Sequence, residues 1–297
     1  MLLKNNRKLR NTVAGYLFVS PMLLGIIVFT LFPIIASVIL SFTDWRFVTG
    51  FDKIKFIGIG NYIQLFGDNG FRQSLMNNFM IMLVIPITLA ISLVLAYIIN
   101  SKVYAKNLFK VIYFMPGISS VVAVAVVFQI IFHPSYGPAN SLLHALGVEN
   151  PPMWLADPTY ALPSVMFIMV WIDLGYNMIV YIAGLQGIPR DLYEAADIDG
   201  ATGWVKFRRI TVPMLSATTF FLLITGIIGS FKAFSLIKVL TDGGPSHSTS
   251  TIVYDLYDAA FINLKTGYSS AMAIVLFFCV LLITAIQWYG QRKWVNY

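Results

Sequence analysis

Six runs of apolar side chains dominate the chain, at roughly residues 13–41, 77–99, 111–132, 161–183, 214–240 and 268–289. A helix rises 1.5 Å per residue and needs about 20 such residues to cross roughly 30 Å of hydrocarbon. Each run meets that length without stacked charges, so the expectation is an all-α integral membrane protein with six transmembrane helices. Composition agrees, since 58% of residues are hydrophobic and 11% charged, against about 25% charged in an ordinary soluble domain. A water-soluble globule is excluded.

The first run follows Lys4, Arg7, Lys8 and Arg10, as in a signal peptide. Its apolar stretch is too long, and no clear small-residue cleavage site follows, so it reads as a retained helix. Most of the basic residues fall on one side of the spans: those four, then Lys102, Lys106 and Lys110, then Arg190, Lys206, Arg208 and Arg209, then Arg292 and Lys293. Arg46, Lys53, Lys55, Arg72, Lys238 and Lys265 occupy the opposite loops, and Lys232 lies inside the fifth run. The positive-inside rule then puts both termini in the cytoplasm, as an even number of spans requires. Topology thus accounts for the formal charge of +7. No nucleic-acid-binding pattern redirects it, so the bilayer and not nucleic acid is the expected partner.

Chemistry of its own is not expected. The chain has no phosphate loop, no H-E-x-x-H and no G-x-S-x-G elbow. His133, His144 and His247 lie in outer loops without ligand spacing, and Cys279 is the single cysteine, in an apolar run. Neither a metal site nor a disulfide framework follows.

The loop between the fourth and fifth runs, 184–213, is too patterned for a connector. Pro189 suits the first turn of a helix, Asp191 and Glu194 favour its positive end, and Gly200 supplies a left-handed stop. A second helix is expected to begin near Thr202 and to carry Lys206, Arg208 and Arg209 towards the headgroups before Pro213 opens the fifth span. In the first helix, small Ala195 and Ala196 beside Leu192 and Tyr193 would let a protein surface approach closely, with Glu194 at the rim. A helix lying flat on lipid usually carries cations on its polar face; this one is mainly acidic, which favours protein docking.

Glu194-Ala195-Ala196, three residues, Gly200, nine residues, Ile210 and, after two more, Pro213 resembles the "EAA" loop of binding-protein-dependent ABC importer permeases, with Val212 where leucine is usual. The resemblance covers almost the whole chain and looks like the carbohydrate branch, typified by maltose and glycerol-phosphate permeases. Supporting stretches are Ser41-Phe42-Thr43-Asp44-Trp45, Gly58-Ile59-Gly60-Asn61-Tyr62, Phe114-Met115-Pro116, Leu185-Gln186-Gly187-Ile188-Pro189, Asp199-Gly200-Ala201 and Leu240-Thr241-Asp242-Gly243-Gly244-Pro245. Loop 42–76 has no room for the large insertion that the maltose permease carries there.

The resemblance implies a type I importer permease fold over residues 1–297, with a peripheral helix at 13–41, core helices over about 77–290 and the coupling loop at 184–213. It implies a second homologous permease, two ATP-binding subunits that hold ATP and Mg, an extracytoplasmic sugar-binding protein, and a bacterial or archaeal cytoplasmic membrane. Glu194, Ala195, Ala196, Gly200, Ile210 and Pro213 would couple the chain to the ATPase, and the chain itself would bind no cofactor.

Polar groups inside spans are costly in lipid and usually face the bundle interior. Asp173, Tyr176 and Asn177 recur at i, i+3 and i+4 on one face of the fourth span, with Trp171 close by. They read either as solute contacts or as interhelical hydrogen-bonding groups. Gln129 and Lys232 are further candidates. Asp173 and Lys232 differ by about seven residues of depth, roughly 10 Å, so no direct pair is expected, and Lys232 is free to snorkel. The alternative of an ion-coupled secondary transporter needs buried carboxylates and broken helices. Only Asp173 fits it, and the patterned loop would be left without a role.

Overall fold

The computed structural model describes residues 2–100 and 104–292, with residues 2–8 and Phe51 described by backbone alone. Lys102 and Lys293 of the basic pattern therefore lie outside the described residues, as do the side chains of Lys4, Arg7 and Lys8. The chain is helical in the order α1 (Leu9–Leu40), α2 (Gly60–Gly67), α3 (Asn69–Asn100), α4 (Lys106–Ile118), α5 (Val121–Ile131) and α6 (Pro138–Ala145). There follow α7 (Pro158–Gln186), α8 (Arg190–Ile198), α9 (Gly203–Met214), α10 (Ser216–Ser230), α11 (Ser235–Leu240), α12 (Ile252–Tyr257) and α13 (Thr266–Gln291). Among the described residues, extended pairing is limited to one isolated bridge, Thr43 with Phe56.

Among the described residues, four helices are long and apolar enough to cross a membrane: α1, α3, α7 and α13. The third and fifth apolar runs are not straight. α4 and α5 meet at a 97° bend, and α9 and α10 at 63°, so the total is six if each bent pair is one span. Local chemistry explains both bends. Pro116 has no N–H to give the helix, and Gly117, Ser119 and Ser120 are weak helix formers beside it. Pro213 likewise cannot bond back to residue 209, and the turn before it, Phe207–Thr211, widens to a π-helix. The fifth run breaks again after Ser230, so Lys232 sits in a connector between α10 and α11, not within a helix.

The chain divides into two compact units, Met1–Gly67 with Leu256–Val275, and Asp68–Asp255 with Leu276–Tyr297. In the first, α1 has no buried residue. Two sequence stretches singled out above are bonded to each other there. Asn61 Nδ2 donates to the carbonyls of Ser41 and Thr43 at 2.8 and 2.7 Å, and the Tyr62 hydroxyl donates to Ser41 Oγ at 2.8 Å.

In the second unit, α3, α7 and α10 bury Leu89, Ala96, Met178, Tyr181 and Leu222 in one cluster; a second gathers Ile81, Phe128, Ile168 and Ile237. α7 crosses α4 at Gly175, where a Cβ would lie 2.0 Å from the Tyr113 carbonyl oxygen and 2.6 Å from Phe114 Cα. Small residues permit such close crossings in membranes. α3 starts well before residue 77, capped by Asp68, whose carboxylate accepts from Gly70 N at 2.8 Å. Its polar residues are used: buried Asn77 donates to the carbonyls of His247 and Ser250, and Asn78 accepts from Ile252 N at 2.9 Å.

Candidate functional site

Two places in the second unit collect the residues that the sequence singles out. The first is the loop after α7. α8 begins at Arg190 with Pro189 as its N-cap, one position before the expected first turn, and Asp191 lies in that turn. The helix ends where Gly200 takes φ +71°. Ala201 N bonds to Ala196 O at 2.9 Å and Gly200 N to Asp197 O at 3.1 Å, the paired closure of a Schellman stop. Thr202 then caps α9, its hydroxyl accepting from Val205 N at 3.4 Å.

Side chains fasten the two helices. Lys206 pairs with Asp197 at 2.6 Å. The hydroxyls of Tyr193 and Thr211 lie 2.9 Å apart, and Thr211 is buried. Phe207 packs edge-on against Tyr97 at 4.9 Å and stacks on Trp204 at 5.6 Å. Tyr193 and Ile210 pack against the first core cluster, whereas Glu194, Ala195 and Gly200 are exposed and Ala196 is half-buried. Pro213 sits at the start of the turn that leads into the 63° bend. An apolar rim, Ile198 at 88% and Trp204 at 68% exposure, flanks the small residues. A docking surface needs this combination of fixed backbone and uncovered apolar groups; Ile198 and Trp204 lay outside the sequence reading because exposure cannot be told from residue type.

The second place is a cavity of about 420 Å³ between α7, α10, the 231–234 connector and α11, with Ile85 of α3 and Val121 of α5 at its edges. Asp173, Tyr176, Asn177 and Lys232 all line it. Among the described residues, no cation lies within 4 Å of the Asp173 carboxylate, in keeping with the expected absence of a direct pair. Asn177 Nδ2 donates to the main-chain carbonyl of Asp173 at 2.9 Å. The remaining candidates lie elsewhere. Trp171 packs edge-on against Phe128 at 5.3 Å. Gln129 Nε2 donates to the carbonyls of Val239 and Leu240 at 2.5 and 3.3 Å, satisfying the free end of α11. Thr225 and Ser230, which also line the cavity, were not singled out, because hydroxyls in apolar runs give no period of their own.

The sequence pattern of the family described as "Binding-protein-dependent transport system inner membrane component" matches residues 88–295. The lactose transport system permease protein LacF of Rhizobium radiobacter is 36% identical over 95% of this chain and 95% of its own. The arabinooligosaccharides transport system permease protein AraP of Bacillus subtilis is 35% identical, over 92% and 87%. A solved bacterial ABC transporter involved in import of the acidic polysaccharide alginate contains a chain of the same fold, with TM-score 0.86 and 23% identity over 99% of this chain and all of that one. A second structure of an alginate transporter, in complex with a periplasmic protein holding an alginate pentasaccharide, matches with TM-score 0.84 over 97% and 96%. On the pattern match and on relatives that share more than a third of their residues over nearly full length, the chain belongs to the family of inner membrane components of binding-protein-dependent transport systems.

Proposed function

We propose that this chain is the permease subunit of an ATP-binding-cassette importer and forms half of the pathway for a sugar or oligosaccharide. A second homologous permease completes the pathway, an extracytoplasmic binding protein delivers the solute, and two separate subunits bind ATP and Mg. The chain acts as one permease domain with six spans and both termini in the cytoplasm of a bacterial or archaeal cell. Named relatives that handle lactose and arabinooligosaccharides support the sugar assignment, and the alginate system with its periplasmic partner supports delivery by a binding protein.

The observation that carries the proposal is the surface of α8. Glu194, Ala195 and Gly200 stand exposed on a helix that is capped, stopped and bonded on its other side to α9 and the core. Glu194, Ala195, Ala196 and Gly200 dock on the ATPase, while Ile210 and Pro213 carry the displacement into α10. ATP binding and release then bias the membrane helices between two states through differential contacts. Asp173, Tyr176, Asn177 and Lys232 line the solute path. Glu194→Lys places a cation at the docking rim, and loss of a charged interface contact costs about 2 kcal/mol or more. Uptake by the intact importer is expected to fall at least tenfold while membrane insertion and basal ATP hydrolysis persist. Uptake at the parental rate removes α8 from coupling.

A further inference from the structure

Membership of this family leaves the charge of the cargo open, since lactose is neutral and alginate acidic. The cavity wall bears on that choice. Thr225 and Ser230 already commit their hydroxyl protons to the main chain, Thr225 to Phe221 O and Ser230 to Ile227 O, both at 2.8 Å. What they offer the cavity is oxygen lone pairs. Asn177 spends an amide proton on the carbonyl of Asp173, and Asp173 itself, when ionised, only accepts. Asp173, Thr225 and Ser230 therefore offer acceptors, while Tyr176 and the second amide proton of Asn177 offer donors, a mixture that matches the hydroxyls of a saccharide.

Charge points the same way. Asp173 is held at the middle of the unbroken α7, half-buried, with no cation within 4 Å among the described residues. Lys232 is the cation that lines the cavity, but it is exposed and stands on a flexible four-carbon stem in the connector, so its ammonium is free to turn to water. The fixed charge is negative and the movable one positive.

We propose that Asp173 is a charge filter: it admits neutral, hydroxyl-rich saccharides and holds back uronates, sugar phosphates and other anions. This rests on the reading of the cavity as the solute path. The filter and the path are tested together by thiol labelling of the full-length chain in its native membrane assembly, with Cys279→Ala and a reporter at Thr225→Cys. The probes are the cationic 2-(trimethylammonium)ethyl and the anionic 2-sulfonatoethyl methanethiosulfonates, applied from each side of the membrane. Each rate is divided by that of the same reagent with 2-mercaptoethanol. A unit charge about 8 Å from the reporter favours the cationic over the anionic reagent by about sixfold at the dielectric constant of water, and by more at lower values. The ratio should fall at least fivefold in Asp173→Asn and return in Asp173→Glu, which restores the charge. A ratio that ignores Asp173→Asn, or that favours the anion in the parent, overturns the filter while leaving the path intact. If neither reagent reaches the reporter from either side, the cavity is not a water-filled path and both readings fall.

Discussion

Gly200→Ala isolates the backbone contribution to the surface that α8 exposes. Gly200 has φ +71°, and an added Cβ would meet no atom within 4 Å, so the cost is conformational and not steric. An alanine in the left-handed region costs about 1–2 kcal/mol, a factor of roughly 5–30 in the equilibrium between closed and open loop. The bonds at risk are those from the amides of Asp199, Gly200 and Ala201 to the carbonyls of Ala195, Asp197 and Ala196. Hydrogen exchange of peptides spanning 195–202 should accelerate by that factor, while the melting temperature falls by no more than a few degrees. Gly203→Ala is the matched control, because its backbone is ordinary and its Cβ site is equally empty. Gly200→Asn should fall between, since asparagine tolerates this region better. Equal exchange in Gly200→Ala and Gly203→Ala refutes the claim that the left-handed stop holds α8.

Two further outcomes follow from the core and the outer loop. Gly175→Ala forces a methyl into the Tyr113 carbonyl, an immovable neighbour, and should destabilise the protein by about 3 kcal/mol; thermal unfolding in detergent checks this, with Gly25→Ala, whose Cβ site is open, as the harmless comparison. Asp255 is buried, which raises its pKa above the usual 3.8, although Ser250 Oγ donates to it at 2.5 Å. The folded state then binds more protons than the unfolded one, so stability is greatest below the unfolded pKa and declines as pH rises through the window up to the raised value. Asp255→Asn is neutral and keeps an acceptor for Ser250. Its melting temperature should decline less between pH 4 and pH 7 than the parent's, and parallel declines would contradict the burial argument.

The sequence makes some of this architecture legible and hides the rest for definable reasons. Hydrophobic runs report length and solvent, so the helices within 13–41, 77–99, 161–183 and 268–289 are all found. The loop at 184–213 is legible because its instructions are local: Gly200 stops a helix and Thr202 starts one without reference to the rest of the fold. Direction is another matter. A hydropathy window is indifferent to a 97° bend, although Pro116-Gly117 and Ser119-Ser120 mark the place. The early start of α3 is hidden because its first turns carry Asn69, Gly70, Arg72 and Gln73, which read as loop until Asp68 is seen to cap the helix. Polarity alone makes Gln129 look like a solute contact, and only the position of α11 beside α5 reveals its two carbonyl partners. Asp173, Tyr176 and Asn177 share the cavity as their helical spacing suggests, but the hydroxyls opposite them required the fold.

The two bonds that fasten α8 to α9, Lys206 with Asp197 and Tyr193 with Thr211, have a mechanical meaning. They tie α8 to α9 across the Gly200 corner, so opening the corner means breaking both. In the coupling proposed above, a thrust on Glu194 passes through the fastened corner to Pro213, where a helix lacking one hydrogen bond yields first.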